Sequence, residues 1–213
     1  MNFPPPVPPS PSPTTTIPGR TSSHLPPSNS NSLFPAPAHL PPGLVTLHLG
    51  VRFTHPLGIL APGVRDVGAH FEACNASVLD AAKPYGCIGY SSWNAASQDA
   101  NNTMMTVYYF RDVEGLNAFA QGEVHRKAWD WYSGWCKDGK GYIGVYHETF
   151  EVKEGGWETI AVNMPPTLLG AGSLPVGVEE GEEVWVSPLV EARGRRFKGQ
   201  WQRMGRGKDG KVE

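Results

Sequence analysis

Residues 104–115 read MMTVYYFRDVEG, which predicts a strand followed at once by a helix. Met104–Phe110 is apolar on both faces of the predicted strand, so we expect other layers to cover it on both sides. Asp112 is a good N-cap for a helix beginning at Val113, and Glu114 in the first turn interacts favourably with the helix dipole. This strand and helix form the centre of the predicted fold.

The neighbouring segments extend this pattern in both directions. Residues 45–53 alternate with period two, which predicts a strand whose core face carries Leu47, Leu49, Val51 and Phe53. Thr46, His48 and Arg52 then lie on the opposite face. The other predicted elements are a helix over 64–83, a strand over 87–93, a turn over 94–102, a helix from 113 interrupted at Gly122, a helix over 123–136 and a strand over 142–152.

The order β-α-β-β-α-β predicts an α+β, ferredoxin-like fold. Helices then cover one face of the sheet. The other face also carries apolar side chains, so it needs a covering layer. The same face of a second copy is the simplest cover, which predicts a two-fold homodimer.

Composition excludes several classes of protein. The chain has 213 residues, 39% of them apolar, and a net charge of −2, which is typical of one globular domain with tails. There is no apolar run long enough to span a bilayer and no basic segment followed by an apolar one at the N-terminus. We therefore expect a cytoplasmic protein without a membrane partner. Cys74, Cys87 and Cys136 match no zinc spacing, and buried thiols are the favoured interpretation.

Both ends differ in composition from the centre. Residues 1–43 hold 14 of the 21 prolines and one charged residue, Arg20, which predicts a disordered Pro/Ser/Thr-rich tail. Residues 173–213 carry an acidic cluster and then a basic run, which predicts a charged, mostly irregular extension and no nucleic-acid partner. The predicted domain therefore covers residues 44–172.

Four stretches resemble a poorly characterised monooxygenase-like family of the dimeric α/β-barrel superfamily, which is related to antibiotic-biosynthesis monooxygenases. They read PLGILAPG (56–63), MTVYYFRDVEGL (105–116), HRKAWDW (125–131) and YHETFEV (146–152), and WETIAVN (157–163) also fits. The resemblance implies a substrate pocket between the sheet and its helices and a dimer formed by the bare sheet faces. Relatives include cofactor-independent monooxygenases of aromatic polyketides and haem enzymes such as aldoxime dehydratases. Residues 137–141 lack the histidine that similar sequences tend to carry there, which weakens the haem alternative.

The candidate site residues come mostly from the second half of the domain. His125, Trp129, Tyr132 and Cys136 share one face of a helix, while Trp131 and Trp135 form a neighbouring stripe. Such a stripe is either core or a wall for a flat aromatic ligand. The predicted catalytic residues are His125 and His147, and the predicted substrate-binding residues are Trp129, Tyr132, Tyr108 and Trp93.

His147 and Glu148 are adjacent in a predicted strand, so their side chains point to opposite faces of the sheet. A buried carboxylate costs more than a buried imidazole unless it is paired. We therefore expect His147 in the pocket and Glu148 at the dimer face, paired with Arg52 or His48.

Three hypotheses follow for function. The first is a small cofactor-independent monooxygenase that acts on an aromatic or polyketide-type molecule in secondary metabolism. The second is a haem-dependent dehydratase in which His125 binds the iron. The third is a non-catalytic dimeric binding protein with a Pro-rich docking tail. Dinucleotide, Walker, serine-hydrolase and zincin motifs are absent from the sequence, and no metal site is expected.

Overall fold

The computed structural model describes most of the chain outside part of the N-terminal segment, several loops and the extreme C-terminus. The described residues are 15–25, 43–80, 85–95, 103–138, 140–153, 155–179, 182–194, 197–204 and 206. Among them, no helix is both long and apolar enough to cross a bilayer.

The centre of the chain forms the β-α-β-β-α-β arrangement expected from the sequence. Its elements are β2 (Gly43–Phe53), α1 (Val64–Val78), β3 (Cys87–Asn94), β4 (Thr103–Phe110), α2 (Val113–Ala120), α3 (Glu123–Lys137) and β5 (Ile143–Lys153). The four strands form an antiparallel sheet in the order β3-β4-β2-β5. This confirms the predicted ferredoxin-like, α+β fold.

The ends of the helices follow the local sequence. The Asp112 carboxylate accepts a hydrogen bond of 2.7 Å from the Gly115 backbone N–H, which confirms the predicted N-cap of α2. Gly63 precedes α1 with a φ of +81°, and the Trp135 ring lies where a Cβ atom would stand. Only glycine combines that backbone conformation with such a close approach.

The helices cover one face of the sheet. Two clusters form the core there, and the first joins Leu47, Tyr108 and Phe110 to residues of α1 and α2. The second joins Val51, Phe53 and Ile143 to residues of α1 and α3. Leu47 and Val51 thus lie on the face that their alternation predicts.

The opposite face of the sheet is covered at one end by the chain itself. Leu44 and Ile88 pack there against Leu169 and Leu174, which follow the ferredoxin-like unit. The sequence had assigned this whole face to a second copy. The intramolecular cover was missed because it comes from a short 3-10 helix, Leu168–Ala171, without a periodic pattern.

The N-terminal segment contributes a strand, which corrects the prediction of a disordered tail at these residues. Strand β1 (Ile17–Ser23) lies between β6 (Ala161–Met164) and β9 (Leu189–Glu191) in a second, three-stranded antiparallel sheet. Ser22 Oγ donates to the Thr159 carbonyl over 2.7 Å, so a buried hydroxyl is paired. Composition missed this strand because its partners lie more than 130 residues away. The predicted disorder of 1–14 and 26–42 falls outside the described residues.

The C-terminal extension is also more regular than its charges suggested. It contains β7 (Leu174–Glu179) and β8 (Glu182–Val186), which form a hairpin, then β9 and the short helix α4 (Gln200–Arg203). Arg203 forms a largely buried ion pair with Glu158. The prediction of a mostly irregular extension is therefore corrected for these elements, because the Trp185 side chain and the Arg203 pair dock them onto the rest of the protein.

Candidate functional site

Strand register places His147 on the helix-covered side of the sheet. His147 of β5 lies opposite Leu49 of β2, and Leu49 lies opposite Thr106 of β4. Paired residues share a face, so His147 and Thr106 are on the same side as the core residue Leu49. Ser92 of β3 completes the row, and its hydroxyl lies 3.0 Å from that of Thr106. We refer to these four residues as the helix-side row.

A buried tyrosine lies in the adjacent row. Tyr108 pairs with Leu47 and donates a hydrogen bond of 2.6 Å to Asn75 Oδ1 of α1. Burial, followed by the nearby Cys87 and Cys74, raises the pKa of Tyr108 above its ordinary value. The phenol is therefore neutral at physiological pH. Since its proton is committed to Asn75, the remaining function of its oxygen is to accept a hydrogen bond.

The position of His125 determines its tautomer. Its Nδ1 lies 2.8 Å from the Ala120 carbonyl oxygen, and its ring packs edge-on against Phe119 at 5.4 Å. A carbonyl only accepts hydrogen bonds, so Nδ1 carries the hydrogen in the neutral ring. Nε2 then keeps a lone pair, which is able to take a proton or bind a metal.

The His125 face of α3 carries two aromatic residues with different roles: Trp129 is exposed, and Tyr132 is bonded to the sheet. Trp129 is 56% exposed and packs against Tyr132, with ring centroids 5.8 Å apart. The Tyr132 hydroxyl donates to the Ile143 carbonyl over 3.0 Å, which ties α3 to the start of β5. Burial, then the hydrogen bond and charge of Cys136, raises the pKa of Tyr132. Tyr132 therefore holds the helix in place, while Trp129 is available to a ligand.

The second aromatic stripe of α3 belongs to the core. Trp131 and Trp135 stack at 5.5 Å and pack on the cluster around Val51 and Phe53. His70 of α1 lies against Trp131 at 5.1 Å. Of the two interpretations of the stripe, core packing holds for these two tryptophans.

The two predicted catalytic histidines lie on the same side of the sheet but are separate. His147 is exposed and His125 is half-buried, and within the described residues neither is a hydrogen-bond or ring partner of the other. The prediction of two histidines acting in one cavity stays a prediction.

Trp93 does not belong with the other predicted substrate-binding residues of this subunit. It pairs with Met105 of β4, one position from Ser92 and Thr106, so it lies on the open face of the sheet. The prediction overlooked the alternation of β3, in which consecutive side chains point to opposite faces.

The open face carries a second group of polar and aromatic side chains. His48 Nδ1 lies 3.9 Å from Glu148 Oε2, and the His48 and Phe150 rings are 5.5 Å apart. The Tyr146 ring covers Gly50, where a Cβ atom would collide with it. The expected split between His147 and Glu148 and the pairing of Glu148 with His48 thus match the geometry of the structure.

Some polar residues near the site were missed by the sequence analysis. They are Asn75 of α1 and the Ser92–Thr106 pair on the helix side of the sheet, and Tyr108 was singled out without its partner. A signal for Asn75 was present, because it interrupts the apolar stripe of α1 four residues after Phe71 and three before Val78. Ser92 and Thr106 gave no signal, since their pairing depends on the register between β3 and β4.

A small cavity lies between the ferredoxin-like unit and the β7–β8 hairpin. Its volume is about 40 Å³, and it is lined by Cys87, Arg111, Ser173 and Trp185 among others. That volume suits a few water molecules and not a polyketide. Burial raises the pKa of Cys87 to about 12, so this thiol is not a nucleophile at neutral pH.

Comparison with known proteins gives one family match that covers most of the ferredoxin-like unit. The family model described as monooxygenase af470-like matches residues 44–169. A curated relative, monooxygenase af470 of Aspergillus fumigatus, is 35% identical over 164 residues, which are 76% of this chain and 58% of that protein. The chain therefore spans a little over half the length of this relative.

Solved structures also resemble the chain. An aldoxime dehydratase in complex with butyraldoxime has a TM-score of 0.47 and 10% identity, over 70% of this chain and 38% of the dehydratase. SnoaB, a cofactor-independent oxygenase from Streptomyces nogalater, has a TM-score of 0.34 and 11% identity, over 50% of this chain and 90% of SnoaB.

Proposed function

The chain belongs to the monooxygenase af470-like family, and on this basis we propose that it is a small monooxygenase. The proposed substrate is an aromatic, polyketide-type molecule of secondary metabolism, and no bound cofactor is required. Residues 44–172 are the proposed catalytic domain. The cytoplasmic location expected from the sequence stays a prediction.

The tautomer of His125 is the observation that carries this proposal. Because Nδ1 donates to the Ala120 carbonyl, Nε2 is the free, unprotonated nitrogen of the neutral ring. An imidazole in that state is a general base near neutral pH. His125 Nε2 is thus the proposed acceptor of the substrate proton. His147, on the same side of the sheet, is the alternative base.

Polar groups on the helix side of the sheet are the proposed partners of an oxygenated aromatic ligand. The Ser92 hydroxyl is exposed and pairs with that of the buried Thr106, so it is the group that a phenol or carbonyl reaches first. Tyr108 is 3% exposed and bonded to Asn75, so its role in binding substrate stays a prediction. Trp129 offers an exposed ring on which a flat molecule stacks. These residues are proposed to orient the substrate.

The proposed reaction balances without an external reductant. A CH2 group flanked by aromatic rings loses one proton to the histidine, and the resulting carbanion supplies electrons to molecular oxygen. One oxygen atom becomes the new carbonyl and the other leaves as water with both hydrogens, so CH2 and O2 give C=O and H2O. The protein contributes the base, orientation and exclusion of bulk water.

Oxygen uptake with a hydroxylated anthrone, in the presence of a chelator and without added cofactor, tests the proposal. We expect turnover by the wild type and a loss of roughly 100-fold or more in His125→Ala. His147→Ala tests the alternative base. His24→Ala, at the residue that follows β1 of the separate three-stranded sheet, is the control and should retain turnover. Absence of oxygen uptake with a panel of such substrates, or full activity when both His125 and His147 are changed to alanine, would refute the proposal.

A haem-dependent dehydratase is the second candidate, and the same histidine favours it. Histidines that bind metals usually donate their other N–H to a carbonyl or carboxylate, as His125 does to Ala120. His125 would hold the iron through Nε2, and a haem, when bound, supplies Lewis-acid and redox chemistry. Purification with added haem distinguishes the two candidates. A Soret band that is lost in His125→Ala would support this candidate, and a protein that takes up no haem excludes it.

The open face of the sheet is the proposed site of homodimerisation. Three large side chains there remain substantially exposed, namely Trp93 at 43%, Tyr146 at 46% and Phe150 at 48%. Exposed aromatic groups of this size on a sheet face are typical of an interface. A two-fold axis would place each His48–Glu148 pair against its own copy. Among the described residues, the intramolecular cover lies at the Leu44 end of this face, and the proposed partner covers the rest.

A further inference from the structure

The loop between β2 and α1 presents three neighbouring aliphatic side chains to solvent. Leu57 is 58% exposed, Ile59 is 62% exposed and Leu60 is 81% exposed. We refer to these residues as the apolar tip. Scattered apolar residues on a surface are ordinary, but three within four positions of one loop form a contiguous patch.

Backbone hydrogen bonds hold this loop in a defined turn, so the three aliphatic side chains are exposed in an ordered segment. Leu60 N–H donates to the Leu57 carbonyl over 3.0 Å, and Ala61 N–H donates to the Gly58 carbonyl over 3.1 Å. Gly58 and Ala61 are buried on the inner side of the turn. The loop therefore directs its small residues inward and its large aliphatic residues outward.

The loop is also anchored to the aromatic end of α3 and the start of β5. The Tyr142 hydroxyl donates to the Pro62 carbonyl over 3.1 Å, and the His55 and Tyr142 rings lie 4.7 Å apart. The Trp135 ring covers Gly63. These contacts give the tip a rigid base.

The segments of the chain that flank the loop and its anchor carry a net positive charge. No Asp, Glu, Lys or Arg occurs between Arg52 and Arg65. The residues flanking the loop and its α3 anchor include four cations and two anions, a net charge of +2. They are Arg52, Arg65, Lys137, Lys140, Asp66 and Asp138. Lys140 Nζ lies 4.5 Å over the Trp135 ring beside the loop, but it also pairs with Asp138 at 3.4 Å, so the surplus positive charge rests on Arg52, Arg65 and Lys137 against Asp66.

We propose that the apolar tip docks the protein onto an anionic lipid bilayer. A protruding set of aliphatic side chains inserts into the interfacial region, while surrounding cations are attracted to acidic headgroups. The sequence predicted no membrane partner because it has no spanning segment, but peripheral docking needs none. This proposal is independent of the reaction catalysed.

Vesicle co-sedimentation of the full-length protein tests the proposal. We expect binding to vesicles of phosphatidylserine and phosphatidylcholine, weaker binding to phosphatidylcholine alone, and weaker binding as salt increases. Replacing Leu57, Ile59 and Leu60 together with serine should lower the partition coefficient by about 10-fold or more. The matched control is Val162→Ser with Met164→Ser, because these β6 residues are 53% and 43% exposed and lie outside the loop.

Three outcomes would overturn the proposal. The first is a wild type that binds neither kind of vesicle. The second is a triple serine variant, folded by circular dichroism, that binds as well as the wild type or no worse than the β6 control. The third is a triple variant whose molar mass in light scattering falls from that of a dimer to that of a monomer, which assigns the tip to a second copy.

Discussion

At the residue scale, one position of strand register separates His147 from Glu148. His147 lies opposite Leu49 and Glu148 lies opposite His48, so the two side chains serve opposite faces of the sheet. A slip of β5 by one residue would exchange them and would also move the buried Ile143 to the opposite face. The burial of Ile143 therefore helps to fix the position of a candidate catalytic base.

The hydrogen bond between Tyr108 and Asn75 provides a stability prediction. Asn75→Ala removes the acceptor and leaves a buried hydroxyl unpaired, which should lower the free energy of unfolding by about 1–3 kcal/mol. Tyr108→Phe removes the hydroxyl as well, so the double variant should lose less than the sum of the two single variants. Urea unfolding of the wild type, the two single variants and the double variant measures these free energies. Strictly additive losses would show that the two groups do not interact.

Two glycines make a matched pair at the residue scale. Gly63→Ala adds a Cβ atom at a φ of +81° and against the Trp135 ring, so it should destabilise the fold by about 1–3 kcal/mol. Gly68 lies within α1 with open space around its Cβ position, so Gly68→Ala should stabilise the protein by up to about 1 kcal/mol. Thermal unfolding compares them. A change of the melting temperature in the same direction in both variants would contradict this prediction.

The raised pKa of Tyr109 predicts that the protein loses stability at alkaline pH. Burial raises its pKa from 10.0 to about 12, and a backbone hydrogen bond with Leu169 offsets part of the shift. The folded state thus holds this proton more tightly than the unfolded chain. Its contribution to stability is complete below pH 10 and is lost as the pH rises from 10 towards 12. Urea midpoints across this range should fall less steeply in Tyr109→Phe than in the wild type, and an equal slope would contradict the prediction.

At the scale of elements, the least expected feature is β1. It is the central strand of a sheet whose other members, β6 and β9, come from the opposite end of the chain. Thr21, Ser22 and Ser23 are buried in it although the surrounding sequence is rich in proline and polar residues. The segment folds because β6 and β9 supply backbone partners on both sides.

Two truncations separate the contribution of β1 from that of the preceding residues. Deletion of 1–14 leaves the strand intact and should leave stability and proteolysis unchanged. Deletion of 1–25 removes it, so the backbone groups of β6 and β9 lose their ladder. Faster hydrogen exchange and cleavage in 161–164 and 189–191 are the expected result. If both truncated proteins behave like the full chain, β1 has no structural role.

The presence of β1 within residues 1–43 changes how the hypothesis of a non-catalytic protein with a docking tail is tested. Deleting residues 1–43 removes β1 together with the Pro-rich sequence, so loss of function after that deletion has two explanations. Only the shorter deletion, of 1–14, tests the tail without disturbing the three-stranded sheet.

At the scale of the whole molecule, helices cover one face of the ferredoxin-like sheet, and within the described part of the chain the other face is covered at its Leu44 end. The proposed dimer predicts that Phe150→Asp yields a monomer, because a charge would enter the centre of the interface. Thr149→Asp is the matched control, since Thr149 is exposed on the same strand but belongs to the helix side. Light scattering at micromolar concentration measures the molar mass. A monomeric wild type, or a dimeric Phe150→Asp variant, would refute this interface.

Much of this architecture follows from sequence because local patterns determine it. The alternation of β2, the capped start of α2 and the helical spacing of α1 and α3 reflect burial on one face, which each element shows by itself. These patterns predicted the order of elements and the division of β2 into two faces. They also predicted that His147 and Glu148 point apart, since alternation holds in any strand.

Only the tertiary structure decided which residues meet. The Asn75–Tyr108 bond, the Ser92–Thr106 pair, the location of Trp93 on the open face and the insertion of β1 between β6 and β9 all depend on partners distant in sequence. The tautomer of His125 likewise depends on the turn between α2 and α3. Periodicity reports which face of an element is apolar, whereas contacts between elements depend on register and packing over the whole chain.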